Sequence, residues 1–351
     1  MKIVYGVSGE GLGHVFEAIQ VIGRLKEEGH VVKVLTYGDR AFDSLAALGP
    51  TRIEGIHLYF NERGMSLVDT VTRNLGIIPF YLRNWARLRD ELAAFDADAF
   101  ITAYEPFTTV AAHVFRRPLV SMDNQNEMLH VEPPAGTDMF AFRLARLATR
   151  ICTHGADHYV VKSFQKPARH TANVHFVAPG IQREIRALRP TNGGHVLVYL
   201  TKANPALVQI MRGIDETFIV YCNNRVGQEG NITFKAKGEA YLPDLRDCKA
   251  IIGTTGFSLI ADSIFLQKPY FGVPLKKQFE QTYNAQFLTL FGCGDFSEDT
   301  TRADLLRFLG DLQRFRRKLE SHHLDPAEQE ETLLGVLAMI RAEQGRERPA
   351  L

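Results

Sequence analysis

The most informative segment of the chain is Gly253–Ala285, which reads GTTGFSLIADSIFLQKPYFGVPLKKQFEQTYNA. It follows a predicted buried strand at residues 250–252 and continues as a short Gly/Thr turn, a helix, a second strand at Tyr270–Val273 and a polar segment. A short turn between a strand and a helix leaves backbone N–H groups unpaired at the helix N-terminus, where they favour an anion such as a phosphate. The segment therefore predicts a phosphate site at this turn.

Polar side chains further along the same segment suit the rest of a nucleotide sugar. Asp262 lies on the predicted helix, where its carboxylate is placed like one that binds ribose hydroxyls. Glu280, Gln281 and Asn284 supply acceptors and donors that match the hydroxyl groups of a sugar. Phosphate, ribose and sugar contacts within one segment predict a nucleotide-sugar site.

This segment resembles the donor-binding signature of two-domain (GT-B) glycosyltransferases, namely the family 1 UDP-glycosyltransferases and the family 28 N-acetylglucosaminyltransferase of bacterial cell-wall synthesis. The shared pattern is a Gly-rich turn, a Ser or Thr, an acid before a proline, and an acid or Gln followed by Gln and Asn-Ala. The matching positions are Thr255, Gly256, Ser258, Asp262, Pro269, Glu280, Gln281, Asn284 and Ala285. The resemblance implies an α/β fold of two Rossmann-like, doubly wound parallel-sheet domains facing a cleft, and an enzyme that transfers a sugar from a UDP-sugar.

The composition limits the classes of protein to which the chain could belong. The chain has 351 residues and a formal net charge of +1, which gives no reason to expect nucleic acid as a partner. Its four cysteines, Cys152, Cys222, Cys248 and Cys293, lack metal-binding spacing, which predicts reduced thiols. The sequence shows no signal-peptide pattern and no apolar run long enough to span a bilayer. We therefore expect a cytoplasmic protein.

Apolar strand-like runs alternate with helical patterns such as His14–Glu28 and Ala86–Ala94, which favours doubly wound parallel sheets. The first series of runs is Lys2–Val7, Val31–Thr36, Ile53–Phe60, Ala99–Ala103, Leu119–Met122, His158–Val161 and Val174–Val177. The second series is Val196–Leu200, Phe218–Cys222, Ile232–Lys235, Lys249–Ile252 and Tyr270–Val273. We predict a first domain over residues 1–184, a Pro/Asn/Gly-rich linker and a second domain over 195–325. By resemblance, a last helix within 326–351 crosses back to the first domain.

A glycine loop with a histidine follows the first predicted strand. It reads GEGLGH at residues 9–14, and histidine occupies the position where the dinucleotide fingerprint has glycine, which argues against a nicotinamide or flavin cofactor. The loop resembles the Gly-Gly-His motif of the family 28 enzymes. Gly11 and Gly13 would let the backbone approach a ligand. By resemblance, His14 is a neutral general base that takes the proton of the acceptor hydroxyl; its alternative role is a helix cap.

A general base is usually oriented by a carboxylate. Family 1 enzymes commonly place an aspartate after the fourth strand, but the matching residue here is Ala103. Glu105 and Asp123 are the nearby carboxylates, and both are candidates for the catalytic site. Each would serve equally well as a turn former or a helix cap.

The resemblance implies further donor contacts in the second half of the chain. Thr201 aligns with a phosphate-contacting serine, and Leu242 lies in the segment whose backbone holds the uracil edge. Thr254, Thr255 and Gly256 would meet the diphosphate. A helix dipole and these donors would stabilise the leaving diphosphate without a metal ion. We therefore expect single displacement with inversion, no cofactor and no metal.

Partners and alternatives stay open. The acceptor is an unidentified hydroxyl compound, with a lipid- or glycan-linked hydroxyl as one option. The basic and aromatic segment Arg63–Arg89 would either touch an anionic surface at the inner face of the membrane or pack on its own domain with a solvated arginine face. A nucleotide-sugar 2-epimerase of the same fold and a non-catalytic nucleotide-sugar-binding protein are the alternative functions.

Overall fold

The chain divides into two compact units. The computed structural model describes residues 1–10, 12–57, 60–61, 64–65, 72–167, 170–222 and 225–347. Met1–Gly180 and Asp325–Leu351 form the first unit, and Ile181–Leu324 forms the second. Residues 181–184, which the sequence prediction assigns to the first domain, lie in the second unit.

The first unit is built on a seven-stranded parallel sheet. Its strands are β1 (Lys2–Val7), β2 (Val31–Thr36), β3 (Thr51–Arg52), β6 (Ala99–Ala103), β7 (Leu119–Asp123), β8 (His158–Lys162) and β9 (Val174–Val177). The strand order is β3-β2-β1-β6-β7-β8-β9. A separate antiparallel pair consists of β4 (Phe60–Asn61) and β5 (Gly64–Met65).

Helices cover both faces of this sheet. They are α1 (Leu12–Glu27), α2 (Asp39–Ser44), α3 (Ile77–Phe95), α4 (Pro106–Phe115), α5 (Glu127–His130) and α6 (Met139–Cys152). Side chains alternate between the faces along a strand, so Ile3 of β1 packs with Val15 of α1 while Val4 packs with Leu88 of α3 and Phe107 of α4. The sheet is therefore buried between two helical layers.

The second unit repeats this design with its own seven-stranded sheet. Its strands are β10 (His195–Leu200), β11 (Thr217–Cys222), β12 (Gly227–Glu229), β13 (Ile232–Phe234), β14 (Ala250–Gly253), β15 (Tyr270–Gly272) and β16 (Gly294–Phe296), in the order β12-β13-β11-β10-β14-β15-β16. The edge strand β12 is antiparallel to β13, and the other pairs are parallel. The helices are α7 (Arg183–Arg186), α8 (Pro205–Arg212), α9 (Tyr241–Asp247), α10 (Phe257–Phe265), α11 (Phe279–Leu290), α12 (Arg302–Gly310) and α13 (Leu312–Leu319).

The last helix, α14 (Glu328–Glu347), belongs to the first unit although it follows the second in sequence. It contributes four side chains to the core that contains Ile3 and Val15: Leu333, Val336, Leu337 and Ile340. Among the described residues, no helix combines the length and the apolar character that crossing a bilayer requires.

The predicted α/β fold with two doubly wound, mainly parallel sheets is confirmed, and each sheet has a switch point. The chain proceeds outward from β1 to β2 and β3, then returns to β6 on the other side of β1. In the second unit it proceeds from β10 to β11, then returns to β14. Ligands of open α/β sheets bind outside the carboxyl ends of strands at such points. The fold therefore places the candidate ligand sites at the loops after β1, β6, β10 and β14.

One predicted strand is wrong. Of the predicted strand Ile53–Phe60, residues 53–57 form an irregular segment and 58–59 lie outside the described residues. The segment lies against Tyr37: a Cβ on Gly55 would stand 2.1 Å from the Tyr37 ring, and the Tyr37 hydroxyl donates to the carbonyl of Ile56 at 3.1 Å. This apolar run is therefore held in place by contacts with the Tyr37 side chain instead of forming a regular strand.

Candidate functional site

Two threonines meet at the switch point of the second unit. Thr201 directly follows β10 and Thr254 directly follows β14, and their hydroxyl oxygens are 3.0 Å apart. Gly256 is the N-cap of α10, so the positive end of the helix dipole lies beside the two hydroxyls. The two hydroxyls and the N-terminus of α10 are thus brought together beside the carboxyl ends of β10 and β14.

A buried hydrogen-bond network fixes the turn after β14. The hydroxyl of Thr255 donates to the carbonyl of Gln281 at 2.7 Å, and the amide of Asn284 donates to the carbonyl of Thr255 at 3.2 Å. The side-chain oxygen of Gln281 accepts from the Leu275 N–H at 2.9 Å. These contacts tie the turn to α11. The predicted contacts of the three side chains with diphosphate and sugar stay predictions.

Three further donor-side candidates lie near helix N-termini. Leu242 is in the first turn of α9, Ser258 in the first turn of α10 and Glu280 in the first turn of α11. All three are half-buried. Their side chains are therefore partly accessible to a ligand, and their roles as contacts of the donor stay predictions.

Asp262 of α10 is a buried carboxylate close to tyrosines. Burial raises its pKa to about 7, and the positive charge of Lys237 opposes the rise. The Lys237 ammonium lies 5.0 Å from the centre of the Tyr199 ring and 4.8 Å from that of Tyr241. The sequence alone offers no signal for Lys237, because its loop carries no motif and its approach to Asp262 depends on the fold.

Replacing Asp262 by asparagine is expected to stabilise the protein clearly more at about pH 8 than at about pH 5. The folded-state pKa lies above the ordinary value of about 4, so the unfolding free energy falls as pH rises between the two values, by about 1.4 kcal/mol per pKa unit. Asparagine has no carboxylate to ionise. Urea unfolding at both pH values measures the difference, with the exposed-residue variant Asp299→Asn as control. An equal change in the unfolding free energy at both pH values would contradict the expectation.

In the first unit, His14 lies in the first turn of α1 and stacks on Tyr104. The ring centres are 6.4 Å apart and the planes differ by 10°. Tyr104, which follows β6, has a φ of 57°, a backbone conformation that costs energy for a residue other than glycine. Burial and the charge of Lys162 lower the pKa of His14 to about 3. The imidazole is therefore neutral near pH 7. Gly13 is exposed, and Gly11 lies outside the described residues.

An ion pair with a buried lysine lies at the same edge of the first sheet. Lys162 ends β8 and is 2% exposed, and its ammonium donates to a Glu17 carboxylate oxygen at 2.6 Å. Asp123 ends β7; burial raises its pKa to about 6 while the Lys162 charge opposes the rise. Asp123 also accepts from the Asn126 N–H at 2.7 Å. The lysine thus acts electrostatically on both His14 and Asp123, whose orienting role stays a prediction.

Glu105 has the helix-cap role that the sequence left open. Its carboxylate accepts from the N–H of Phe107 at 2.7 Å and from the N–H and hydroxyl of Thr108 at 2.7 and 2.6 Å. Pro106 follows at the first helical position of α4. A Cβ at Gly6 would stand 1.9 Å from the Thr108 hydroxyl oxygen, so β1 reaches this cap only with glycine. Burial raises the pKa of Glu105 to about 7. A catalytic role for it stays a prediction.

Comparison with known proteins gives one family. The model of Glycosyl transferase family 1 matches residues 1–313. No curated protein sequence matches the chain.

Solved structures of glycosyltransferases share the fold. The glycotransferase of kitacinnamycin matches with a TM-score of 0.65 at 15% identity, over 94% of this chain and 98% of its own. VinC in complex with dTDP matches with a TM-score of 0.59 at 15% identity, over 97% and 100%. The spinosyn rhamnosyltransferase SpnG, complexed with spinosyn aglycone, matches with a TM-score of 0.60 at 15% identity, over 95% and 100%.

Proposed function

Since the chain belongs to glycosyl transferase family 1 and is an enzyme that transfers sugars, we propose that its donor is a nucleoside diphosphate sugar bound at the switch point of the second unit. The observation that carries this proposal is the pair of hydroxyls of Thr201 and Thr254, 3.0 Å apart beside the start of α10. Such donors, aimed at a developing anion, stabilise a leaving diphosphate. We propose that transfer needs no metal ion for the same reason.

We propose UDP as the nucleotide, with dTDP as the second candidate because VinC was solved with dTDP. Uracil and thymine present the same hydrogen-bonding edge, so backbone groups near Leu242 would accept both. The two nucleotides differ at the 2′-hydroxyl, which UDP has and dTDP lacks. Asp262 is the proposed ribose ligand, so Asp262→Asn should weaken UDP binding more than dTDP binding.

The proposed reaction is a single displacement at the anomeric carbon. The acceptor oxygen forms the new bond and its proton passes to the neutral His14 imidazole. The bond to the diphosphate oxygen breaks, its electron pair leaves with the diphosphate, and the anomeric configuration inverts. The acceptor is a hydroxyl compound.

Incubation with UDP-sugars and dTDP-sugars, first alone and then with mixtures of hydroxyl acceptors, tests the proposal. We expect nucleoside diphosphate release that requires an acceptor, persists in EDTA and yields the inverted product by NMR. An isomerised sugar nucleotide without any acceptor would instead support the 2-epimerase. Nucleotide binding without turnover under every condition would support the binding protein.

Thr201→Val and Thr254→Val are each expected to weaken nucleoside diphosphate binding about 10- to 100-fold. Valine keeps the shape of threonine and removes one hydrogen bond to a charged group, which contributes about 1.5–3 kcal/mol. Isothermal titration with UDP and dTDP measures the change. Thr289→Val, an exposed threonine on α11, is the control and should bind like the wild type. Unchanged affinity in both site variants would place the diphosphate elsewhere.

A further inference from the structure

Helix α6 carries an apolar stripe on its outer side. Four of its residues recur at spacings of four, three and four and so share one face: Phe140, Leu144, Leu147 and Ile151. All four are exposed, Phe140 to 73% and Ile151 to 59%. The buried side of the helix holds Phe142, Thr149 and Cys152. Contiguous apolar side chains this exposed mark an interaction surface.

Helix α4 extends this apolar surface. It contacts α6 through the Thr109 hydroxyl, which donates to the carbonyl of Cys152 at 2.7 Å. On its outer side it exposes Val110 and Val114. A second helix in contact with α6 therefore also exposes apolar side chains.

Helix α3 widens the surface again. The rings of Tyr81 and Trp85 pack on Phe107 at the start of α4, with ring centres 5.0 and 6.1 Å away. The outer side exposes Ile78 and, to 80%, Leu82. Tyr81 and Trp85 of the segment Arg63–Arg89 thus pack on their own unit, while Ile78 and Leu82 face outward; Arg63, Leu67 and Val71 lie outside the described residues. We call the exposed apolar side chains of α3, α4 and α6 the outer apolar face.

Positive charge borders the outer apolar face. Arg143 and Arg150 are exposed and stand on one flank of the α6 stripe. Within the described ranges, neither takes part in a salt bridge. An occupant that carries negative charge would pair with them.

We propose that the outer apolar face docks the first unit on a bilayer that contains anionic lipids, with α6 lying in the plane of the headgroups. Helices that bind at this depth carry Phe and Leu on one face and Arg or Lys beside it, which is the pattern of α6. Three neighbouring helices expose apolar side chains, and this breadth matches a planar surface better than one partner helix. The arginines would contact lipid phosphates.

A second copy of this chain fits the face less well. Two α6 stripes packed antiparallel would set Arg143 and Arg150 of one copy beside the same arginines of the other, because equivalent flanks meet in that arrangement. Like charges at that distance repel. The charge pattern therefore favours the anionic bilayer.

Vesicle co-sedimentation of the full chain tests the proposal. The vesicles are phosphatidylcholine alone and an equimolar mixture of phosphatidylcholine and phosphatidylglycerol, without any sugar nucleotide, so the result is independent of the transfer assay. We expect binding to the anionic vesicles that weakens as salt is raised, and little binding to phosphatidylcholine.

Two pairs of variants separate the apolar and the charged contributions. Arg143→Gln with Arg150→Gln should weaken partition about 25-fold, since each arginine near an anionic surface contributes about fivefold; Arg314→Gln with Arg317→Gln on α13 is the control. Phe140→Ser with Leu147→Ser should abolish binding, with Val226→Ser and Leu290→Ser, both exposed in the second unit, as control. Thermal unfolding checks that all variants remain folded, and the arginine pair keeps the test decisive should the serine pair unfold.

Equal sedimentation with and without anionic vesicles would overturn the proposal. So would binding that survives both the arginine and the serine pair. A dimer in analytical ultracentrifugation that the serine pair dissociates, together with no vesicle binding, would assign the face to a second copy.

Discussion

Replacing His14 by alanine is expected to lower the kcat of sugar transfer about a hundredfold to ten-thousandfold while leaving the donor Kd unchanged. Positioned general bases contribute rate enhancements of about this size. His14 belongs to the first unit and the proposed diphosphate site belongs to the second, so removing the imidazole leaves the threonine pair intact. Single-turnover rates and titration with UDP measure the two quantities separately.

The pH profile sharpens this test. Because burial and Lys162 lower the pKa of His14 to about 3, the imidazole stays neutral down to well below pH 6. We therefore expect no loss of kcat in the wild type that follows the ordinary histidine pKa near 6.5. His323→Ala, an exposed histidine of the second unit, is the control. Full transfer activity in His14→Ala would remove this residue from the mechanism.

Replacing Lys162 by methionine is expected to lower the unfolding free energy by about 3 to 5 kcal/mol. Removing one partner of a buried ion pair leaves the other charge without compensation. Here the ammonium side chain is 3% exposed and its partner Glu17 is 21% exposed, and Asp123 loses the same neighbouring positive charge. Urea unfolding at about pH 7 measures the loss.

Two further variants identify its cause. Lys166→Met removes a lysine that is 53% exposed and pairs with Glu328, and such surface pairs contribute at most about 1 kcal/mol. Combining Lys162→Met with Glu17→Gln removes the orphaned carboxylate and should recover part of the lost stability. If Lys162→Met and Lys166→Met lower the unfolding free energy equally, the pair of Lys162 with Glu17 contributes no more to stability than a surface pair.

Strands buried on both faces could be predicted well from the sequence. Lys2–Val7, Val31–Thr36, Ala99–Ala103 and Val174–Val177 have the predicted bounds, since continuous apolar runs between turn residues are typical of parallel sheets covered by helices. The helix predicted at Ala86–Ala94 is longer, Ile77–Phe95. Its first turns carry aromatic and aliphatic residues on the packed side and on the exposed side. They therefore lack the polar face by which an ordinary surface helix is predicted.

The candidate site was predictable where local motifs exist and not where the fold brings distant residues together. The Gly/Thr turn before α10 and the glycine loop before His14 are local patterns. In contrast, the contacts of Lys162 with Glu17, of Lys237 with Tyr199 and of Tyr104 with His14 link residues that are far apart in the sequence. Nothing in the sequence near Lys162, for example, distinguishes it from a lysine at the surface.

The position of α14 has a consequence for biosynthesis. Leu337 and Ile340 complete a core whose other members, such as Ile3 and Val15, come from the start of the chain. During translation the nascent chain therefore exposes an unfinished hydrophobic surface on its amino-terminal half until α14 has been synthesised, whereas residues 181–324 are all available earlier. A nascent chain stalled before α14 should bind chaperones through its amino-terminal half.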